Sequence, residues 1–283
     1  MAGDERPKIA VTGATGRLGG RIARILAERG IAQRLAVRTP ERAPSLAGAV
    51  AVRCAYNEPD QVKAALDGVE TVLMVSGSET PDRVEQHKTF IDATVAAEVH
   101  RLVYISFFGA SPTATFTLAR DHWATEEHLH ASGLAAVILR DNFYLDFLPE
   151  LVGADGVIRG PAADGRVAAV AQDDIAEAAA AVLLDPAAHD GETYSLTGPA
   201  AITLDEAARI IACRTNRSVV FENQSIEAAY ASRAGQAPDW QLDAWVSTYT
   251  AIAAGELDGV TDDIPTLIGH PALSLDDLLA KQQ

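Results

Sequence analysis

Residues Lys8 to Leu26 read KIAVTGATGRLGGRIARIL. A short β-like apolar run enters a turn carrying Gly13, Gly16 and Gly19 at even spacing, and the chain leaves it in an amphipathic helical pattern. This strand, turn and helix open a longer series. The runs KIAVT, RLAVR, VAVRC, TVLMVS, RLVYIS and AAVILR follow one another through Arg140, separated by helical stretches such as Asp60 to Leu66 and Arg83 to Ala97. Alternation of this kind specifies an α/β fold, a doubly wound parallel sheet with helices on both faces.

After Arg140 the rhythm breaks. An aromatic patch, NFYLDFLP, precedes GADGVIRGPAADGR, which reads as loop or short hairpin. A helix over DDIAEAAAAVLLDP then returns to the sheet domain, its acidic first turn and trailing proline suiting helix ends. Beyond Gly191 come a short strand TYSLTG, a helix capped by Thr203 or Asp205 and running through Cys213, a strand SVVFEN, and helices to about Ala254. The expected division is a Rossmann-like dinucleotide domain over 1–142 plus about 166–188, with a smaller α+β substrate-covering domain over about 143–165 and 189–283.

With 283 residues, 48% of them hydrophobic, the chain can bury a full core, and its formal net charge of -16 opposes a nucleic-acid partner. The polar, acidic start MAGDERPK and the lack of a membrane-length apolar run predict a cytoplasmic protein that does not enter membranes. Cys54 and Cys213 have neither metal-like nor redox-like spacing and are expected as buried, reduced thiols.

A glycine turn between a first strand and a helix suits a diphosphate, because helix N-terminal amides attract the anion and glycine admits it closely. The same turn without a ligand is the bland alternative. Gly13, Ala14, Thr15, Gly16, Arg17, Leu18 and Gly19 are therefore candidate cofactor contacts. Arg38, at the end of the second strand, stands where an acidic residue would hold the ribose 2'-hydroxyl and an arginine accommodates a 2'-phosphate. NADPH is the expected cofactor and NADH the alternative, with Arg42 or Arg17 sharing the role and Glu41 weighing against it. Ser76, Gly77 and Ser78 follow the fourth strand, at the carboxyl edge where such sheets bind ligands.

None of Lys8, Lys63, Lys88 and Lys281 lies four residues after a tyrosine, so the Tyr-x-x-x-Lys pair of many reductases is absent. Reducing an unactivated ketone makes an alkoxide whose conjugate acid has a pKa near that of water, about 15.7, whereas a quinone yields a phenolate nearer ~10. The difference corresponds to roughly 8 kcal/mol. An electron-poor conjugated acceptor thus needs far less help from a built-in acid.

The segments VTGATGRLG, VRTPER, VSGSE, QHKTFIDAT, LVYISFFGA, LARDHWATEEHLHASGL, VILRDNFYLDF and LIGHPALSLDDLL resemble, in order and spacing, the NmrA-like family of atypical short-chain dehydrogenase/reductases. They are most similar to its bacterial NADPH-dependent quinone oxidoreductase branch. The resemblance implies NADPH held by the glycine turn, Arg38, Ser76 to Ser78 and the segment opening at Arg140, with a flat quinone-like acceptor over the nicotinamide near Tyr144. Where that branch tends to carry Asn-Gly-Trp-Tyr and then Glu-Asn, this chain has Asp141-Asn142-Phe143-Tyr144 and then Asp146-Phe147.

Asn142 and Tyr144, just past the sixth strand, are candidates for cofactor and acceptor respectively, and Phe107, Phe108, Phe143 and Phe147 for the walls of an apolar slot. Ser106 follows the fifth strand, where relatives place a substrate-binding serine. His122 can donate a proton or pair with Glu126 one turn on, with a solvated helix face the plainer reading. His87 reads as helix surface or as support for other groups. His128 and His130 face different sides of a predicted helix, so no metal is expected.

Taken together, the expectation is an enzyme: direct hydride transfer from NADPH to a small aromatic or quinone substrate, without flavin or metal, in a chain compatible with a homodimer. A non-catalytic NADP(H)-sensing regulator and a tailoring oxidoreductase or oxygenase acting on an aromatic polyketide quinone are the alternatives.

Overall fold

All six apolar runs of the first half form strands in a computed structural model of the protein, which describes residues 7–281. They are β1 (Ile9–Thr12), β2 (Gln33–Val37), β3 (Ala49–Arg53), β4 (Thr71–Val75), β5 (Arg101–Phe107) and β6 (Ala135–Asp141). Between them lie helices α1 (Arg17–Glu28), α2 (Pro59–Leu66), α3 (Arg83–Ala96) and α4 (Thr117–Ala131). Later come β7 (Val157–Gly160), β8 (Arg166–Val167), α5 (Gln172–Leu184), β9 (Thr193–Leu196), β10 (Ile202–Thr203), α6 (Leu204–Thr215), β11 (Val220–Asn223), α7 (Ile226–Arg233), α8 (Asp239–Ala253), α9 (Asp263–Ile268) and α10 (Leu275–Lys281).

The main sheet has seven strands in the order β3-β2-β1-β4-β5-β6-β9, a doubly wound α/β arrangement with parallel pairing. Its order reverses at β1 and β4. TYSLTG, expected in the smaller domain, supplies β9, and the Ile138 and Asn142 amides donate to the Glu192 and Leu196 carbonyls to dock it against β6. GADGVIRGPAADGR is not a hairpin: β7 pairs in parallel with β11, and β8 antiparallel with β10. Thr203 is the cap of α6, its hydroxyl accepting from the Glu206 amide at 3.0 Å while the Glu206 carboxylate accepts from the Thr203 amide at 2.8 Å.

The chain forms two compact units. The first runs up to Ser106 and takes in Trp123–Leu139 and Ile175–Tyr194; the second comprises Phe107–His122, Arg140–Asp174 and the chain from Ser195 onward. Residues 107–122, 140–142 and 166–174, assigned to the dinucleotide domain from sequence, fall in the second unit, because Phe107, Phe108, Phe116, Val167 and Ala169 pack on a core of Leu145, Leu148, Ile211 and Leu275. The first unit buries Leu66, Met74, Phe90, Leu102 and Tyr104 together. No helix among the described residues is long and apolar enough to cross a membrane.

One close approach fixes the start of α1. A Cβ on Gly19 would stand 2.6 Å from the Gly13 carbonyl carbon and 2.8 Å from the Thr12 carbonyl oxygen, both backbone atoms that no rotamer can move. We expect Gly19→Ala to cost about 3 kcal/mol through overpacking, read as a lower urea midpoint at unchanged m-value.

Candidate functional site

The carboxyl ends of β1 and β4 flank the point where the sheet order reverses, which is where open α/β sheets bind ligands. Gly13 turns there with φ of 65°, and a Cβ on it would meet Val75 Cβ at 3.1 Å. Ala14 and Leu18 point inward and are buried, whereas Thr15, Gly16 and Arg17 are exposed. The N-cap of α1 is Gly16; no side chain caps this helix and no acidic residue occupies its first turn. The helix therefore presents its N-terminal amides and positive dipole end to an outside anion, and the exposed glycine lets that anion approach. These residues fit a diphosphate.

Below the turn, the Tyr56 hydroxyl donates to the Val75 carbonyl at 2.6 Å, and the Val75 amide donates to Thr12 Oγ1 at 2.9 Å. With the tyrosine proton so committed, the 2.5 Å contact between the two hydroxyls has Thr12 donating to Tyr56. Tyr56 thus ties the end of β1 to the end of β4. Burial pushes its hydroxyl pKa well above the ordinary tyrosine range, with a smaller opposing pull from the hydrogen bond to Thr12 and from the charge of Arg38. Arg38 itself follows β2 directly and is exposed.

The loop after β4 is gripped from α3. The Gly77 amide donates to His87 Nε2 at 2.8 Å, and Arg83 Nε donates to the Gly77 carbonyl at 3.1 Å. Because Nε2 accepts, the imidazole proton sits on Nδ1 and is given to Thr125 Oγ1 at 3.0 Å. His87 is fully buried, not a surface residue, and its pKa falls to about 3, chiefly by burial and secondarily by the charge of Arg83. Ser76 and Gly77 are half-buried and Ser78 is exposed on the loop so held.

The two hydroxyls expected to serve the reacting end are both tied to carboxylates. Ser106 is fully buried and donates to Glu126 Oε1 at 2.5 Å within the first unit. Tyr144, half-buried in the second unit, donates to Asp141 Oδ2 at 2.8 Å. Asn142 corrects the sequence reading. It has no accessible surface, its amide nitrogen donates to the Leu257 carbonyl at 3.0 Å and its amide oxygen accepts from the Phe143 amide at 2.7 Å, so it pins backbone and does not face a cofactor. His122 is also not on a solvated helix face: it is 6% exposed, with its ring 6.0 Å from that of Phe107.

Phe107 packs on Phe116 at 4.8 Å, and Phe147 lies 5.2 Å from Tyr144 and 6.2 Å from Phe143. Phe108 is half-buried, with its ring end 2.7 Å from where a Cβ on Gly259 would stand. Arg140 is half-buried at the end of β6. Cys54 is buried, which pushes its thiol up to about 12, but Cys213 is exposed, against expectation. His128 pairs with Asp92, and among the described residues no group of three or more His, Cys, Asp or Glu is placed to hold a metal ion.

Residues 13–186 match the family described as NAD(P)H-binding. The chain is also 34% identical over 275 residues to quinone oxidoreductase 2 of Escherichia coli, an alignment covering 94% of this chain and 96% of that one. The chain belongs to the NAD(P)H-binding family. This bears out the resemblance carried by VTGATGRLG, VSGSE and LIGHPALSLDDLL. Among solved structures, the NADPH complex of the Escherichia coli NADPH-dependent quinone oxidoreductase superposes with a TM-score of 0.88 at 30% identity, covering 97% of this chain and 99% of that one. Triphenylmethane reductase from a Citrobacter species, in complex with NADP(H), gives a TM-score of 0.86 at 28% identity, covering 97% and 100% of the two chains.

In this member of the NAD(P)H-binding family, the grip on Gly77 was hidden from sequence reading because it joins the loop after β4 to residues of α3 and α4. HK in QHKTFIDAT was the signal available, a histidine on a helix following the loop it holds. The neutral state of His87 couples stability to pH. Below the ordinary histidine pKa of 6.5 the unfolded chain takes up a proton that the folded chain refuses until about pH 3. Stability is therefore lost as pH falls through that window, by up to about 1.4 kcal/mol per unit from this group. Urea unfolding at a series of pH values should show this slope, and His87→Gln should flatten it.

Proposed function

We propose that the protein is an NADPH-dependent reductase that passes hydride directly to a quinone or a related conjugated aromatic acceptor. The observation that carries this reading is the commitment of both candidate hydroxyl protons to carboxylates: Ser106 to Glu126 and Tyr144 to Asp141. Such hydroxyls are poor acids toward a product oxygen. A substrate whose reduced form leaves as a phenolate tolerates that, whereas an alkoxide-forming ketone does not. The names of the Escherichia coli and Citrobacter relatives, a quinone oxidoreductase and a triphenylmethane reductase, support an extended conjugated acceptor.

Bound NADPH would supply the hydride. Gly13, Ala14, Thr15, Gly16, Arg17, Leu18 and Gly19 would receive its diphosphate through backbone amides, Arg38 its 2'-phosphate, and Ser76, Gly77, Ser78 and Arg140 the remainder. Tyr56 and His87 act at one remove, by fixing the ends of β1 and β4 that these residues occupy. Phe107, Phe108, Phe143, Phe147 and Tyr144 would offer the acceptor apolar ring surface, and His122, packed on Phe107, serves as wall more than as proton donor. The protein's share of catalysis is orientation and exclusion of water.

Mixing with NADPH and menadione should consume NADPH absorbance at 340 nm; binding without consumption would sink the catalytic reading and favour a sensor. Arg38→Ala should weaken NADPH by about 2 kcal/mol, roughly thirtyfold, as for loss of a charge-assisted contact. NADH should be almost unaffected. Equal loss of both in titration calorimetry would refute the 2'-phosphate assignment.

A further inference from the structure

Charge is distributed unevenly along this chain. Residues 8–53, which carry the glycine turn and β1 to β3 in the first unit, hold nine Lys and Arg against two Glu, a net of +7 within a protein of -16. Arg17 opens α1, Arg38 and Arg42 follow β2, and Arg53 closes β3, all four exposed. An anionic cofactor thus meets cations on the stretch where it is expected. The second unit has the opposite balance. Its segments Phe107–His122, Arg140–Asp174 and Ser195 onward contain twenty Asp and Glu against nine Lys and Arg, a net of -11.

This excess does not depend on which side chains pair. A salt bridge such as Arg166 with Glu206, or Arg214 with Asp276, removes one charge of each sign and leaves the difference intact. Carboxylates also run among the aromatic residues of this unit. Glu256 accepts from the Thr115 amide at 2.9 Å and from the Thr115 hydroxyl at 2.5 Å, one position before Phe116. Asp146, one position before Phe147, accepts from the Gln172 amide at 2.9 Å. A neutral donor of this kind fixes a carboxylate in place and does not discharge it.

We propose that the acidic second unit makes the protein select uncharged and cationic acceptors and turn away anionic ones, sulfonates and carboxylates among them. This rests on the reading of Phe107, Phe108, Phe143, Tyr144 and Phe147, all of the second unit, as the surface offered to the acceptor of a reductase. A molecule that reaches them enters the field of a body with a net charge of -11. That field lowers the local concentration of an anion and raises that of a cation, and kcat/KM follows whether or not encounter limits the rate. An uncharged acceptor is indifferent to it.

The test uses three acceptors at saturating NADPH: menadione, a naphthoquinone sulfonate and a naphthoquinone bearing a trimethylammonium group. Each is compared only with itself, between about 10 mM and about 150 mM ionic strength, where the screening length shortens from roughly 30 Å to roughly 8 Å. Differences in intrinsic reactivity then drop out. Across that range kcat/KM for the sulfonate should rise roughly fivefold or more, that for the cation should fall by a similar factor, and menadione should hold steady. Asp164→Lys combined with Asp258→Lys, which reverses two exposed carboxylates, should shrink both trends and leave menadione turnover in place. A structural lesion would instead lower all three acceptors together and leave the trends as they were. A sulfonate rate indifferent to salt or falling with it, or trends untouched by the double reversal, would overturn the inference while the reductase reading stands. No NADPH consumption with any of the three would overturn the two together. The wild-type trends need no variant, so the test survives one that does not fold.

Discussion

The approach of α1 to the end of β1 leaves no room for a side chain, and much of the candidate site follows from that contact. Gly19 lets the helix rest against the Gly13 and Thr12 carbonyls, which places the first turn of α1 at the edge of the sheet with its amides outward. Thr12, held in the same corner, then becomes the anchor for Val75 and Tyr56, so the end of β4 is located from the end of β1. The loop at Ser76 to Ser78 inherits its position from this corner and from His87. A single close packing of backbone on backbone thus propagates through four residues to the far lip of the candidate site.

A second regularity concerns protons. Tyr56, Ser106 and Tyr144 each lie near the carboxyl end of a strand and each gives its proton to an internal oxygen: a carbonyl, Glu126 and Asp141. His87 gives its one proton to Thr125. In these four residues the polar hydrogens serve structural definition, each holding one strand end or helix to its neighbour.

The parts legible in the sequence were those written locally. The glycine turn between β1 and α1 is a contiguous pattern, and the cap of α6 is spelled within Thr203 to Glu206. What was not legible depends on residues that meet only after folding. Asn142 looked like a ligand contact because it sits at a strand end, but its amide is consumed by Leu257, more than a hundred positions away. His122 looked solvated because its helix is rich in charge, yet it turns toward Phe107. Tyr56 falls in a short loop with no motif around it, and Glu126 is one of two adjacent glutamates that sequence alone does not distinguish. The fold came through more completely than the site because a β/α alternation repeats its message many times, whereas each side-chain bond is stated once.

The place of β9 in the main sheet has a bearing on synthesis. Strand β6 is the edge of the sheet until β9 docks on it, and β9 begins roughly fifty residues after β6 ends. A chain emerging from the ribosome N-terminus first would hold AAVILR, an apolar segment of high strand propensity, as an open edge while the intervening stretch is made. That interval is the one in which association with other nascent chains competes with correct closure. Yield in a heterologous host should therefore respond to translation speed across residues 142–196 more than to the thermodynamic stability of the finished protein.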